Sequence, residues 1–123
     1  MRIVTPGIPD KKIVYILTQA NYEILLESGV QIYQYTPGFI HSKSFVCDDE
    51  VATVGTINMD YRSFYLHYEN GVWMSGKKIQ EDIRQDFAYL FETCEEISYE
   101  SWKHRPKRWK LIQPILNLFS TLF

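Results

Sequence analysis

The sequence predicts an α/β fold in which a mixed β-sheet is flanked by helices and followed by a C-terminal amphipathic helical tail. Three observations support this prediction. The chain opens with a strand, a helix and a second strand, a β-hairpin occupies its middle, and a long amphipathic helix follows a further strand. Because a crossover helix joins parallel strands and a tight turn joins antiparallel strands, we expect both kinds of pairing.

The opening strand, helix and strand are marked by turns and by hydrophobic spacing. Residues 2–5 form a short apolar run that ends at Pro6-Gly7, and Gly29 precedes an alternating run over residues 30–36. Between them, residues 11–28 are predicted to form one helix, because apolar side chains recur there at helical spacing: Ile13, Ile16, Leu17, Ala20 and Ile24. We expect the two strands to pair in parallel.

The middle of the chain, residues 41–58, carries the side chains best suited to chemistry. Apolar and β-branched runs on either side of the acidic residues 48–50 are typical of two short strands joined by a tight turn. Side chains alternate across a strand, so His41 and Lys43 share a face of the first arm. Likewise, Thr56 and Asn58 share a face of the second arm. If those faces coincide, four polar groups converge.

The second half of the chain predicts a loop, a strand and a long helix. Residues 59–65 are polar and aromatic, and residues 66–74 form a third strand-like run. A helix is predicted over residues 77–97, because an apolar stripe recurs there at helical spacing: Ile79, Ile83, Phe87, Leu90, Cys94 and Ile97. This helix is expected to pack on the sheet and to carry no chemistry.

The last segment differs in character, and we divide the chain into a domain at residues 1–98 and a tail at residues 99–123. Lysine, arginine and tryptophan precede an almost wholly apolar end at residues 111–123. That run is too short to span a bilayer, which takes about 20 residues. An interfacial amphipathic helix and a helix packed on its own domain or on a missing half are equally compatible with this pattern.

Composition sets limits on the class of protein. A chain of 123 residues with 46% hydrophobic and 23% charged residues is sized for one globular domain. Its net charge of −2 gives no global attraction for nucleic acid or anionic lipid, so any such attraction must be local. Cys47 and Cys94 lack metal-type spacing and are predicted to be buried free thiols.

The converging side chains suit a phosphodiester substrate. An imidazole such as that of His41 titrates near neutrality and can attack phosphorus. The ammonium of Lys43 and the amide of Asn58 can stabilise charge on the non-bridging phosphate oxygens. A neutral imidazole nucleophile also needs an acceptor for its other ring nitrogen, and Glu69, on the third strand-like run, can supply one.

The spacing of these residues is similar to the motif of the phospholipase D superfamily: His41-x-Lys43-x4-Asp48-x6-Gly55-Thr56-x-Asn58. The flanking sequences narrow the resemblance. They resemble the C-terminal catalytic half of bacterial cardiolipin synthases, and the likeness extends from about Arg2 to the end of the chain. The flanking segments that carry it are Tyr33-Gln34-Tyr35 and Gly38-Phe39-Ile40 before the motif, and Met59-Asp60-Tyr61-Arg62-Ser63-Phe64 and Leu66-His67-Tyr68-Glu69 after it. His67 stands where the family often has Asn.

The resemblance implies a phosphatidyltransferase that joins two phosphatidylglycerol molecules into cardiolipin and glycerol without a metal or other cofactor. One motif histidine would form a phosphohistidine, and the histidine of a second motif would protonate the leaving alcohol and later activate the acceptor hydroxyl. The catalytic residues implied here are His41, Lys43 and Glu69. The phosphate-binding residues are Lys43, Thr56 and Asn58, although the Thr56 hydroxyl could instead only support Asn58.

Four positions of the motif and its flank are assigned structural roles. Asp48 lies at the mouth of the turn, out of phase with the catalytic side chains of its strand, so we expect it to bond to turn amides. Asp60 and Arg62 are expected to pair and to hold the loop, since an arginine beside an aspartate is more often a structural ion pair than a ligand contact. Gly55 is assigned a structural role because it matches the glycine of the family motif.

The chain resembles half of an enzyme, because cardiolipin synthases carry two copies of the motif preceded by membrane-spanning helices. We therefore expect it to need a second His-x-Lys half, supplied by a homodimer or by an N-terminal half. Its expected location is the cytoplasmic side of the bacterial cell membrane, bound peripherally to an anionic surface that contains phosphatidylglycerol. Met1 is interpreted as a possible internal start of a longer sequence.

Alternative functions remain open from the sequence. A homodimeric phosphodiesterase or nuclease, or a phospholipase D-type hydrolase, would use the same residues. The absence of a basic stripe near the motif argues against nucleic acid as a partner. A non-enzymatic alternative is an inactive, truncated remnant that adheres to membranes.

A metal site is a weaker alternative. His41, His67 and Glu69 would form a set of two histidines and one carboxylate. The cation of Lys43 would oppose metal binding there and already neutralises the phosphate that a metal would otherwise hold. A serine-based triad is excluded, because Ser42 and Ser44 point to the face opposite His41.

Overall fold

A computed structural model describes residues 1–48 and 50–104 of the chain. Six strands and five helices occur in these residues. In chain order they are β1 (Arg2–Pro6), α1 (Lys12–Ala20), α2 (Tyr22–Glu27), β2 (Gln31–Tyr35), β3 (Lys43–Cys47), β4 (Val51–Gly55), α3 (Tyr61–Tyr65), β5 (Gly71–Ser75), α4 (Lys77–Thr93), β6 (Glu95–Ile97) and α5 (Tyr99–Lys103).

The predicted α/β class is confirmed, with both parallel and antiparallel pairing, but the strands form two sheets of three rather than one. The sheet orders are β1-β2-β6 and β3-β4-β5. The described chain divides accordingly into two compact units, residues 1–40 with 93–104 and residues 41–92. The predicted site residues from His41 to Glu69 fall within the second unit.

The first unit contains the parallel pair that the sequence predicts. β1 and β2 pair in parallel from Arg2 opposite Gln31 to Pro6 opposite Tyr35. The predicted single helix between them is two helices, α1 and α2, separated at Asn21. The Asn21 side-chain amide donates to the carbonyl of Leu17 (3.3 Å), and its N–H donates to Thr18 (3.2 Å). This local bonding competes with the regular helical ladder and explains the break.

A buried tyrosine organises the interior of the first unit. Tyr22 and Ile32 are almost wholly buried, and the Tyr22 hydroxyl lies 2.6 Å from Thr5 Oγ1 and 3.3 Å from Gln34 Nε2. Burial raises the pKa of Tyr22, so the hydroxyl stays protonated. The Trp102 ring of α5 packs 4.9 Å from the Tyr22 ring, centroid to centroid. α5 is therefore held against the N-terminal elements of this unit.

The end of the long helix differs from the prediction. α4 stops at Thr93, and the last residues of the predicted helix instead form β6, which pairs antiparallel with β2 through Ile32 opposite Ile97. The free edge of β2 offers backbone hydrogen bonds that outweigh the helical preference of so short a segment. Helical periodicity alone does not reveal this, because the partner strand lies far away in sequence.

The second unit contains the predicted hairpin. β3 and β4 pair antiparallel from Lys43 opposite Gly55 to Cys47 opposite Val51, which confirms it. β5 adds to the other edge of β4, but it begins at Gly71, later than the predicted strand over residues 66–74. The short helix α3 occupies most of the predicted loop. Both cysteines are free as predicted, but Cys47 is exposed rather than buried and Cys94 is partly buried.

The predicted tail is described only at its beginning, where α5 covers Tyr99–Lys103. The amphipathic helix expected over its apolar end lies outside the described residues. Among residues 1–48 and 50–104, no helix combines the length and apolar character that crossing a bilayer requires.

Candidate active site

The three strands of the second unit bring the motif residues to one end of their sheet. β3 begins at Lys43, β4 ends at Gly55 and β5 begins at Gly71, and these positions lie opposite one another across the sheet. The residues just before β3, just after β4 and just before β5 therefore emerge at the same end. This arrangement gathers residues 41–43, 56–58 and 67–70 into one region.

Gly55 allows the closest approach in this region. A Cβ built on Gly55 would overlap the carbonyl oxygen of Asn70 and lie 2.6 Å from the Cα of Gly71. Real Cβ atoms do not approach backbone atoms so closely, so a side chain here would force β4 and β5 apart. The missing side chain at Gly55 is what allows the segment before β5 to lie directly against the end of β4.

Thr56 joins the two segments by reciprocal hydrogen bonds. Its N–H donates to the carbonyl of Asn70 (2.8 Å), and the Asn70 N–H donates to Thr56 Oγ1 (3.0 Å). The Thr56 hydroxyl in turn donates to Oε2 of Glu69. Because a hydroxyl has one proton to donate, this contact commits the Thr56 proton to the carboxylate. Phosphate binding by Thr56 stays a prediction.

Glu69 is the centre of the hydrogen-bond network. Its side chain is 14% exposed and accepts a hydrogen bond from the Thr56 hydroxyl, while the His67 Nδ1 lies 3.6 Å from its Oε1. These contacts lower the pKa of Glu69, the Thr56 hydroxyl most strongly, while partial burial acts in the opposite direction. The site therefore holds an ionised carboxylate, as an acceptor for an imidazole requires.

Lys43 holds its ammonium within electrostatic range of this carboxylate. Its Nζ donates to the carbonyl oxygen of His41 at 2.8 Å. Partial burial lowers the pKa of Lys43, and the nearby carboxylates of Glu69 and Asp60 oppose that lowering and favour the ammonium form. A half-buried cation between backbone and carboxylates is a fixed positive charge that could face a phosphate.

The two histidines of this region differ in their contacts with Glu69. His67 contacts the carboxylate, whereas His41 lies just before β3 with an exposed side chain and fixes Lys43 through its carbonyl. The pairing of the His41 ring with Glu69 stays a prediction, as does its role as nucleophile. His67, at the position where the family often has Asn, is thus a direct neighbour of the central carboxylate.

Asp60 holds the loop, although it does so as a helix cap. Its Oδ1 accepts from the Ser63 N–H at 2.7 Å, which makes Asp60 the N-cap of α3. The predicted pairing of Asp60 with Arg62 stays a prediction. Ser63 was not among the predicted site residues, yet it is buried and its Oγ accepts the Asn58 N–H at 3.2 Å. Aspartate is a preferred helix N-cap, and this signal at Asp60 could have located the turn.

Asp48 and Asn58 occupy the two remaining motif positions. Asp48 has φ +52°, a left-handed conformation that aspartate tolerates in tight turns, and its carboxylate accepts from the Cys47 thiol at 3.5 Å. Its expected bonds to turn amides stay a prediction. Asn58 donates its backbone N–H to Ser63 Oγ at 3.2 Å, and its side chain is exposed. That exposure is compatible with the predicted phosphate contact.

The alternative metal site does not gain support from the geometry. Within the part of the chain that the structure describes, no group of three or more histidine, cysteine, aspartate or glutamate side chains is arranged to hold a metal ion. The carboxylate that such a site would share is instead bonded to the Thr56 hydroxyl.

Comparisons with known proteins agree with the motif. Residues 1–91 match the family described as "Cardiolipin synthase, PLD-like domain". The chain is 37% identical to a cardiolipin synthase of Halalkalibacterium halodurans, 38% to one of Geobacillus kaustophilus and 36% to cardiolipin synthase 1 of Staphylococcus aureus. Each match covers 99% of this chain but only 24–25% of the relative, so the chain spans about a quarter of the length of those proteins.

The matches, the mixed α/β architecture and the motif at one end of the second sheet all lead to one assignment. The matched segment lies in the C-terminal half of the relatives, as the flanking sequences predict. The chain belongs to the family of cardiolipin synthase, phospholipase D-like domains.

Proposed function

We propose that this chain is one catalytic half of a cardiolipin synthase-like phosphatidyltransferase, which converts two phosphatidylglycerol molecules into cardiolipin and glycerol. The single observation that best supports this is the cluster at the end of the second sheet, where the Lys43 ammonium bonds to the His41 carbonyl and the Glu69 carboxylate accepts the Thr56 hydroxyl. A fixed cation and a hydrogen-bonded carboxylate in a half-buried site suit the charge development of phosphoryl transfer.

In the proposed reaction, a ring nitrogen of His41 attacks the phosphorus of phosphatidylglycerol. The bond from phosphorus to nitrogen forms as the bond from phosphorus to the glycerol oxygen breaks, which leaves a phosphohistidine and a glycerol that takes up a proton from a general acid. Glu69 would accept a hydrogen bond from the other ring nitrogen and stabilise the positive charge that the imidazole acquires. Lys43 and Asn58 would bind the phosphate oxygens.

The second half of the reaction needs a second imidazole. That imidazole would act as a general base and remove the proton of a headgroup hydroxyl on another phosphatidylglycerol. The hydroxyl oxygen then displaces His41 from phosphorus, which gives cardiolipin. The chain carries one His-x-Lys motif and spans about a quarter of its relatives' length. We therefore propose that it acts with a second His-x-Lys half, either a second copy of itself or an N-terminal half.

The proposed working place is an anionic membrane surface, on the cytoplasmic side of the bacterial cell membrane. A lipid alcohol reacts in preference to water only if the site is screened from bulk solvent. The tail has the composition of an interfacial segment, with lysine, arginine and tryptophan before the apolar residues 111–123. Peripheral attachment through this tail would bring the site to its lipid substrate.

The test is incubation of the chain with phosphatidylglycerol vesicles over a range of protein concentrations, followed by mass spectrometry of the lipids. Cardiolipin supports the synthase, phosphatidic acid a phospholipase D-type hydrolase, and no product at any concentration an inactive remnant. A steep rise of specific activity with concentration would show that two copies act together. Plasmid nicking that persists in chelator would instead support a homodimeric nuclease.

The role of His41 is tested by His41→Ala, with His104→Ala as the matched control. His104 is exposed, lies in the first unit and bonds to the carbonyl of Glu100. We expect His41→Ala to abolish whichever activity appears and His104→Ala to retain it. Full activity of His41→Ala would refute the assignment of the nucleophile.

A further inference from the structure

The short helix α3 turns a serine inward and its aromatic residues outward. Ser63 is only 6% exposed, whereas Phe64 is 57% and Tyr65 is 73% exposed. Because successive residues of a helix are about 100° apart, Ser63 lies on the side opposite Tyr61 and Tyr65. A surface helix ordinarily buries its apolar stripe and exposes its polar residues. Packing among the described residues does not explain the reversed pattern of α3.

Hydrogen bonds fix which side of α3 faces inward. The Ser63 N–H donates to Asp60 Oδ1 at 2.7 Å, and the Ser63 Oγ accepts the backbone N–H of Asn58 at 3.2 Å. Asn58 is a predicted phosphate-binding residue, so these bonds connect the inner side of the helix to the active-site region. The same bonds hold the aromatic side chains on the outer side.

The exposed aromatic side chains of α3 are continued by the residues that follow the helix. The Tyr61 and Tyr65 rings pack 4.9 Å apart, centroid to centroid. Leu66 and Tyr68 are also exposed, and Tyr68 directly precedes Glu69 in the sequence. We call these five side chains the aromatic patch: Tyr61, Phe64, Tyr65, Leu66 and Tyr68. Large exposed apolar groups next to a functional site are typical of an interaction surface.

We propose that the aromatic patch docks on the surface of an anionic phospholipid bilayer and holds the active-site end of the second sheet there. The inference rests on the proposed function, because a lipid substrate is what requires the site to lie at a bilayer. It adds a membrane contact beside the active site to the one proposed for the tail.

The size of the patch favours a bilayer over a second protein chain. An aromatic side chain has about 150–250 Å² to bury, so at the observed exposures the patch offers roughly 600 Å². A stable protein–protein interface takes about 800 Å² from each partner. A bilayer contact can be smaller when the same chain has another, since two linked contacts with one membrane reinforce each other.

The chemistry of the patch suits an anionic membrane surface. Residues 61–68 contain no carboxylate, and Arg62 adds a formal positive charge, in a chain whose net charge is −2. Tyrosine is enriched where a membrane meets water, because its ring is apolar while its hydroxyl can bond to water or headgroups. Phe64 and Leu66 add side chains that gain most from leaving water.

Tyr89 provides a matched control on another helix. It lies on α4 and is 67% exposed, close to the exposure of Tyr65. Its neighbours at helical spacing are Asp86 and Glu92, three residues before and three residues after it. These carboxylates would be repelled by anionic lipid, so the face of α4 around Tyr89 is not expected to dock.

The first measurement is binding of the full chain to sedimenting vesicles of phosphatidylglycerol and phosphatidylcholine. Tyr65→Ser removes a large exposed ring and should weaken binding about ten-fold, as expected for losing the burial of one such side chain. Tyr89→Ser should bind as tightly as the unmodified chain. Undiminished binding by Tyr65→Ser, or equal weakening in both variants, would overturn the proposal.

The second measurement identifies the molecule that covers the patch. Photoreactive benzoylphenylalanine in place of Tyr65 keeps an aromatic ring and becomes joined to its neighbour on illumination. With the same vesicles, we expect an adduct whose mass corresponds to one phospholipid, and little of it when Tyr89 is replaced instead. A cross-link to a second copy, a cross-link within the chain, or no phospholipid adduct at residue 65 would overturn the proposal.

Neither measurement requires turnover, so docking and the proposed function can fail separately. A phospholipid adduct at residue 65, with no product from phosphatidylglycerol vesicles, would support docking and refute the function. Cardiolipin formed without such an adduct would refute docking alone. If cardiolipin forms and the patch docks, Tyr65→Ser should raise the KM for vesicle lipid about ten-fold, in step with its weaker binding. An unchanged KM would contradict the docking.

Discussion

The close approach at Gly55 gives the most direct test of how the site is built. In Gly55→Ala, the added methyl group would overlap the carbonyl oxygen of Asn70, a backbone atom that cannot turn aside. Overpacking costs about 1–3 kcal/mol, and disturbing the Thr56–Asn70 hydrogen bonds costs about 1 kcal/mol more. The lower backbone entropy of alanine offsets about 0.5–1 kcal/mol. We expect a net loss of about 1–3.5 kcal/mol.

The controls are two other glycines. A Cβ on Gly38 would have only a tyrosine ring carbon nearby, at 3.9 Å, so Gly38→Ala should be nearly neutral. A Cβ on Gly71, directly opposite Gly55, would meet the flexible end of Ile57 at 3.3 Å, so Gly71→Ala should cost less than Gly55→Ala. Urea unfolding followed by circular dichroism measures all three. Equal stability of Gly55→Ala and Gly38→Ala would refute the steric argument.

Three further perturbations test the electrostatics, the helix cap and the buried network. The pKa of Glu69 is lowered in the fold, so its stabilisation is present above the ordinary pKa of 4.5 and is lost as pH falls through the folded value. In urea unfolding at several pH values, Glu69→Gln should therefore destabilise the chain at neutral pH and lose that effect in acid. A difference in the free energy of unfolding between the two proteins that stays the same at every pH would contradict this. Asp60→Ala removes the cap of α3 and should cost about 1 kcal/mol, whereas Asp60→Asn should recover most of it. Tyr22→Phe leaves Thr5 and Gln34 without the buried hydroxyl and should lower the free energy of unfolding by about 1–3 kcal/mol. Thermal unfolding measures this loss, and an unchanged Tm would contradict it.

The hairpin could be predicted from the sequence because its determinants are local. Two β-branched runs, an acidic turn and the alternation of side chains are all present within residues 41–58. The same holds for the parallel pair of β1 and β2, since a connecting helix fixes the direction of the second strand. Glu69 was proposed because an imidazole nucleophile needs an acceptor, and the structure shows its carboxylate accepting the Thr56 hydroxyl.

The division into two sheets and the strand β6 could not be predicted, because they depend on partners that are distant in sequence. Glu95–Ile97 continues an apolar stripe that is helical in α4, and only the free edge of β2 draws it into a strand. The break at Asn21 depends on a single side chain bonding to its own helix. Ser63 was missed for a similar reason, since nothing in the sequence distinguishes a buried serine that accepts a backbone N–H from one exposed on a helix.

The network around Glu69 has a consequence for how the proposed two-part enzyme would form. Every described contact that shapes this carboxylate comes from residues 43–69, one uninterrupted stretch of the second unit. Contacts between residues close in sequence form rapidly during folding, before distant parts of a chain have met. Each half of such a catalyst can thus mature before it encounters its complement, and duplication of one short gene segment would copy the complete arrangement at once.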